Sequence, residues 1–252
     1  MGLRVPNLGA GKIDIEKEVG MKQMYFVAGT DTGVGKTFAS CIVLKAAEQS
    51  ALRTLALKPI AAGCDLVELP NGKTQWQNED ALALMENMSV KLPYAQVNPI
   101  ALKVPASPHI SAALESKMVR ADRIVGYCRG ALLTPADFVL IEGAGGWRVP
   151  ISPTETMADI AKQLELKVIL VVALRLGCLN HALLSAEAIR RDGLEIAGWL
   201  GNQIEPQKMD YEEENIATLK SSLAAPCIGI LPYSESQNPS SMVDCLDLDV
   251  LL

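Results

Sequence analysis

The residues best equipped for chemistry stand together in Gly29-Thr30-Asp31-Thr32-Gly33-Val34-Gly35-Lys36-Thr37. An apolar run at 24–28, which predicts a buried strand, precedes them, and the pattern of 38–49 predicts a helix behind them. A glycine-rich turn between strand and helix offers backbone N–H groups and a helix N-terminus to a phosphate. Lys36 is placed to neutralise terminal phosphates, and the Thr37 hydroxyl to ligate Mg²⁺. The strict phosphate-loop pattern has four residues between its first glycine and Gly-Lys. Here five separate Gly29 from Gly35, so the loop is a variant.

Three further groups bear on what a bound phosphate would do. Lys58 is followed by Pro59 at the end of a predicted strand, where its cation could hold an anionic nucleophile against a γ-phosphate. The alternative is a lysine snorkelling at a strand end. Asp80 precedes an apolar helical run, where taken alone an aspartate is most often a helix N-cap. Glu142 closes a buried strand and is followed by Gly143-Ala144-Gly145-Gly146, as a second metal-binding loop requires. Burying that carboxylate without a cation would be costly. A fourth stretch, Arg175-Leu176-Gly177-Cys178-Leu179-Asn180-His181, joins a strand to a helix. Its N–H groups could receive a carboxylate, or it is a tight turn with Asn180 as N-cap.

The elements that must position these residues alternate. Nearly continuous apolar runs at 54–59, 138–142, 168–173, 197–201 and 227–231 predict further strands buried on both faces. Helical patterns fall at 80–88, 119–133, 157–164, 179–192 and 211–221. The alternation predicts an α/β fold: one domain over 21–252, with a doubly wound, mostly parallel sheet, helices on both faces, and ligands at the carboxyl ends of the strands. Residues 92–109 hold four prolines and predict an irregular excursion.

A chain of 252 residues, 49% apolar and 21% charged, has enough material for one full α/β core. Its net charge of −6 argues against a duplex nucleic-acid partner. Apolar runs such as 168–174 are too short to cross a bilayer. The six cysteines show neither a CxxC pair nor zinc spacing and read as reduced core thiols, with Cys178 kept open because of its neighbours. Residues 1–20 are charged throughout and read as a flexible extension rather than a secretory signal, which leaves the cytoplasm as the expected compartment.

Taken together, these pieces resemble one family closely, the dethiobiotin synthetases of biotin biosynthesis. The resemblance rests on 29–37, Lys58-Pro59-Ile60-Ala61-Ala62-Gly63, 78–84 around Asp80, Ser107-Pro108-His109, 142–146, 177–181 and Gly198-Trp199-Leu200-Gly201-Asn202, in the family's order and spacing. The five-residue gap is normal there. The resemblance implies a P-loop enzyme that joins 7,8-diaminopelargonate and CO₂ at the expense of ATP and closes a cyclic urea. It implies catalytic roles for Lys58, Lys36 and Thr32, and Mg²⁺ ligation by Thr37, Asp80 and Glu142. ATP contacts would come from Asp31, Thr32, Gly33, Val34, Gly35, Lys36, Thr37, Glu142, Gly145, Asn202 and Pro232. Substrate contacts would come from Thr32, Lys58, Gly145, Gly146, Gly177, Cys178 and Asn180. A homodimer is also implied, with Gly177, Cys178 and Asn180 reaching the partner's site.

Two departures stand out: Ala62 where some relatives carry a serine, and Arg175 where a lysine is sometimes found. A rival reading is a P-loop switch ATPase of the partitioning and positioning type. Such proteins commonly carry a second lysine early in the loop, where this chain has Thr30-Asp31-Thr32. They also favour a basic amphipathic C-terminus, whereas Asp244, Asp247 and Asp249 make this end acidic. A glutamine-using ligase would need a further domain.

Overall fold

Aliphatic strands that are buried along almost their whole length pair into a sheet, and the chain between them winds into helices. The computed structural model describes residues 22–236 and 238–252, so the expectation for 1–20 lies outside the described residues. In chain order the strands are β1 (Gln23–Gly29), β2 (Thr54–Leu57), β3 (Ile60–Ala62), β4 (Asp65–Glu68), β5 (Thr74–Gln77), β6 (Ile100–Leu102), β7 (Phe138–Gly146), β8 (Lys167–Ala173), β9 (Ile196–Asn202) and β10 (Cys227–Leu231). The α-helices are α1 (Lys36–Gln49), α2 (Glu79–Asn87), α3 (Tyr94–Val97), α4 (Pro108–Leu114), α5 (Ala121–Ala131), α6 (Met157–Gln163), α7 (Cys178–Arg191) and α8 (Glu212–Ser222).

Six strands form the main sheet in the order β10-β9-β8-β1-β7-β2, all parallel. The chain leaves β1 towards β2 and leaves β7, β8 and β9 in the opposite direction. Right-handed crossovers therefore put α1 on one face and α6, α7 and α8 on the other. The carboxyl ends of β1, β2, β7 and β8 meet at one edge, where a reversal of winding opens a crevice. Single-domain α/β architecture follows as the alternation predicts. Among the described residues no helix is long and apolar enough to cross a membrane.

The excursion at 92–109 is corrected. It contains α3 and β6 and runs into α4, with Pro108 at the first turn of that helix. Proline is tolerated there because its missing N–H has no intrahelical partner. β3 and β6 make a two-stranded parallel sheet and β4 and β5 an antiparallel one. Elements of three or four residues carry too little periodicity to read from the chain. The predicted strand 54–59 also stops early: β2 ends at Leu57 and β3 begins at Ile60, leaving Lys58-Pro59 at the break. Pro59 has no N–H for a ladder. The Lys58 backbone is held instead by α3 and its cap: its N–H donates to the Val97 carbonyl, and its carbonyl accepts from Asn98 Nδ2 at 2.6 Å.

Candidate active site

The phosphate loop runs from Gly29 at the end of β1 to Lys36 at the start of α1. Gly35 caps α1 in the left-handed region, at φ 78°, and the Asn202 amide from the end of β9 lies where its Cβ would sit. Only glycine satisfies both conditions. Asn202 Nδ2 donates to the Val34 carbonyl at 2.9 Å, so β9 braces the loop from below. Asp31 shapes the turn: its Oδ1 accepts from the Thr32 N–H at 2.7 Å, and its Oδ2 pairs with Arg175 at 2.9 Å. Lys36 folds back along the loop, with Nζ 3.2 Å from the Asp31 carbonyl. Burial, then repulsion from Lys58, lowers its pKa to about 8 despite nearby carboxylates.

Beneath the loop lies a compact charged cluster. Glu142, fully buried in β7, accepts from the Thr37 hydroxyl at 2.8 Å, the Ser40 hydroxyl at 2.8 Å and Lys58 Nζ at 2.7 Å. Lys58, 3% exposed, also pairs with Asp80 at 2.8 Å. Burial works to lower the Lys58 pKa, but attraction to Glu142 and Asp80 outweighs it and leaves it raised. The same ammonium holds the half-buried Asp80 carboxyl below its usual range, against the effect of burial. Lys58 is therefore a buried, doubly paired cation, and the snorkelling alternative falls. The N-cap alternative for Asp80 falls too: Asn78 caps α2 by accepting from the Ala81 N–H, which leaves the Asp80 carboxylate free to turn to Lys58.

Over this cluster opens a cavity of about 820 Å³. Thr32, Gly33, Gly35, Lys36, Thr37, Lys58, Asp80, Gly145, Asn202 and Pro232 line it. Its volume lies at the upper end of the usual range for small-molecule sites, with room for a nucleotide and a second small molecule. Of the other expected site residues, Glu142 lies under the floor and Val34 is packed in the core. Asp31 and Gly146 do not line the cavity. The glycine stretch enters the cavity through a bulge. Val27 pairs with Glu142 and Gly29 with Gly146, so three residues of β7 face the single Ala28 of β1. The surplus pushes Gly145 outwards at φ 63°, where a Cβ would meet Val149 at 2.7 Å and Thr32 Oγ1 at 3.2 Å.

Gly177, Cys178 and Asn180 lie apart from this cavity. Gly177, at φ 96°, caps α7, so the reading of Asn180 as N-cap falls. Asn180 and Gly177 face solvent, and Leu176 is 96% exposed. Cys178 is buried, where burial raises the pKa of its thiol, and its N–H donates to the Arg175 carbonyl at 2.9 Å. All six cysteines are free.

Several residues around the charged cluster and the cavity were not anticipated. Ser40 follows Thr37 by three positions, on the same face of α1, a spacing that could have flagged it. Asn98, which holds the Lys58 carbonyl, and Tyr233, which lines the cavity, come from irregular or very short segments with no sequence signal. Ser107 lines the wall beside Ala62, its hydroxyl 3.0 Å from His109 Nδ1.

The AAA domain family profile matches residues 23–241. The ATP-dependent dethiobiotin synthetase BioD of Marinobacter nauticus is 53% identical over 221 residues, covering 88% of this chain and 92% of that protein. The protein of the same name from Cellvibrio japonicus is 47% identical over 231 residues, covering 92% and 98%. Among solved structures, a ParA family ATPase from Chlorobium tepidum superposes with a TM-score of 0.51 at 14% identity, covering 91% of this chain and 92% of that one. At that identity the likeness is one of fold alone.

Proposed function

We propose a reaction on one premise: the chain belongs to the ATP-dependent dethiobiotin synthetase family. It is an ATP-dependent enzyme of dethiobiotin formation, and the switch-ATPase reading is not favoured. The finer reading is that it carboxylates 7,8-diaminopelargonate with CO₂. One amine adds to CO₂ and loses a proton, giving a carbamate. A carbamate oxygen attacks the γ-phosphorus of ATP, and ADP leaves. The neighbouring amine then attacks the carbonyl carbon of the mixed anhydride, expels phosphate, loses a proton and closes the cyclic urea.

The observation that carries this reading is Lys58, a buried cation facing the phosphate loop across the cavity floor. A carbamate and a triphosphate repel each other, and an ammonium held between them offsets that repulsion as charge develops. Lys36 serves the β- and γ-phosphates, and the Thr32 hydroxyl sits beside Gly145 where the reacting groups would meet. The second amine needs no encounter step, because both nitrogens are on one molecule. Asn202 and Pro232 would take the base. Asn202 keeps its amide oxygen and one N–H for that task after bracing Val34.

The hydroxyl of Thr37 and the carboxylates of Asp80 and Glu142 fit Mg²⁺ as hard oxygen donors close together: Thr37 meets Glu142, and both carboxylates meet Lys58. When bound, the ion would neutralise charge on the phosphates. The exposed Gly177 and Asn180 suit a homodimer in which they reach the carboxylate of the partner's substrate. Free cysteines throughout suit a cytoplasmic setting. The test is product formation from diaminopelargonate, bicarbonate, Mg²⁺ and ATP. Dethiobiotin is expected in step with ADP, and its absence where ATP demonstrably binds would overturn the reading.

A further inference from the structure

Asp192 follows the last residue of α7, at the end of the helix where the dipole disfavours an anion. Its side chain is nonetheless largely buried, 11% exposed. Three donors meet there. Trp147 Nε1 donates to Oδ2 at 2.8 Å, and the Arg148 guanidinium makes a fork with Nη1 2.7 Å from Oδ2 and Nη2 3.0 Å from Oδ1. Forked, charge-assisted bonds of this kind are among the stronger polar contacts. Both donor residues belong to the segment that follows the bulged glycines of β7.

That segment is consequently tied at two points. Gly146 is paired to Gly29 in the sheet, and Trp147 and Arg148 are clasped to the end of α7. Trp147 is 3% exposed and meets Phe26 edge-on at 6.0 Å between ring centres, which leaves its indole little freedom to turn. The surplus of the bulge can then go only one way, into the cavity, which is where Gly145 lies against Thr32.

We infer that Asp192 is a positioning residue for the reaction: it holds the glycine turn, through Trp147 and Arg148, at the distance from the phosphate loop that a γ-phosphate requires. The inference rests on the reading that Gly145 borders the γ-phosphate, and it extends the site by a residue that touches neither substrate nor nucleotide. A ligand that ends at the β-phosphate does not meet the glycine turn, so its affinity is independent of Asp192.

The experiment compares binding of ADP and of a non-hydrolysable ATP analogue by calorimetry. The variants are Asp192→Ala, Asp192→Asn, Trp147→Phe and Gly145→Ala. Asp192→Ala is expected to weaken the analogue about tenfold, with ADP unchanged. Asp192→Asn keeps an oxygen for the indole and recovers most of that loss. Trp147→Phe keeps an aromatic ring but removes the N–H together with part of the indole, and it shifts the ratio in the same direction should Asp192→Ala fail to fold. A purely structural role would lower the melting temperature and leave the ratio of the two affinities unmoved, which would overturn the inference. Gly145→Ala separates the two claims. If it spoils discrimination and neither Asp192→Ala nor Trp147→Phe does, the clasp is wrong. If Gly145→Ala leaves the ratio unchanged, the reading of the turn fails and the inference falls with it.

Discussion

Two regions of the candidate site are built in opposite ways. Around Glu142, every polar group is closed within the chain: Thr37, Ser40 and Lys58 all meet its carboxylate, and Lys58 also takes up Asp80. Around Gly177, the backbone and Asn180 stand in solvent beside a leucine exposed almost completely. The first region is knit together by folding; the second leaves its groups in solvent. The Asp31–Arg175 ion pair joins them, from the phosphate loop to the connection that leads into α7. Folding energy can hold a buried cluster of charges in place, whereas an exposed loop with few buried contacts is held less tightly.

The largest expected effect breaks the closed region. Lys58→Ala removes the cation that is ion-paired with both Asp80 and Glu142 and leaves the buried Glu142 carboxylate without its salt-bridge partner. Turnover should fall by roughly 10³-fold or more, and the fold should lose about 3–5 kcal/mol, read by product assay and thermal unfolding. Nucleotide affinity should change little, because Lys36 and the loop N–H groups remain. Near-normal turnover would remove Lys58 from the mechanism.

A smaller effect sharpens the open region. If Gly177 and Asn180 act on the partner's substrate, a Lys36→Met chain and an Asn180→Ala chain are each inactive alone. Each mixed dimer then carries one intact site, so equal mixing should restore about a quarter of wild-type activity. No recovery, with mixed dimers demonstrated by differential tagging, would assign Asn180 to its own chain or to no role.

The smallest effect probes the seam between loop and cluster. Burial lowers the Lys36 pKa to about 8, whereas an approaching triphosphate favours its charged form. Below pH 8 the lysine is already protonated in the free enzyme, so binding takes up no proton there. Near pH 8 it should take up about half a proton, and more above that. Lys36→Arg stays charged and should show none. Calorimetry in buffers of different ionisation enthalpy measures this. Uptake that does not change with pH would assign the proton elsewhere. Free-enzyme stability carries the same linkage: the unfolded lysine keeps its proton up to about 10.5, so this group's contribution to stability rises as pH goes from 8 to 10.5.

Much of the fold was legible. The parallel strands are continuous apolar runs, the long helices carry their period, and Gly29–Thr37 names a phosphate loop, because these signals are local and repeat along the chain. The excursion at 92–109 was not legible, since α3, β6 and the start of α4 are too short for a period and two of them adjoin prolines. Asp80 shows the limit most clearly. From the chain alone the cap was the favoured reading, and it was overturned because Asn78, two residues earlier, takes the cap position. Lys58 was ambiguous until α3 and its cap fixed its backbone at the break between β2 and β3.

What the sequence determined by itself is the kind of loop, the alternation of elements and the resemblance to a family, all carried by residues close together in the chain. Tertiary structure alone decided that Lys58, Asp80 and Glu142 form one cluster, that Gly145 is squeezed out of the ladder towards Thr32, and that Asp192 reaches back 45 positions to Trp147. Coulomb attraction and hydrogen bonding act over a few ångströms, and the register of the sheet sets those distances between groups that the chain keeps far apart.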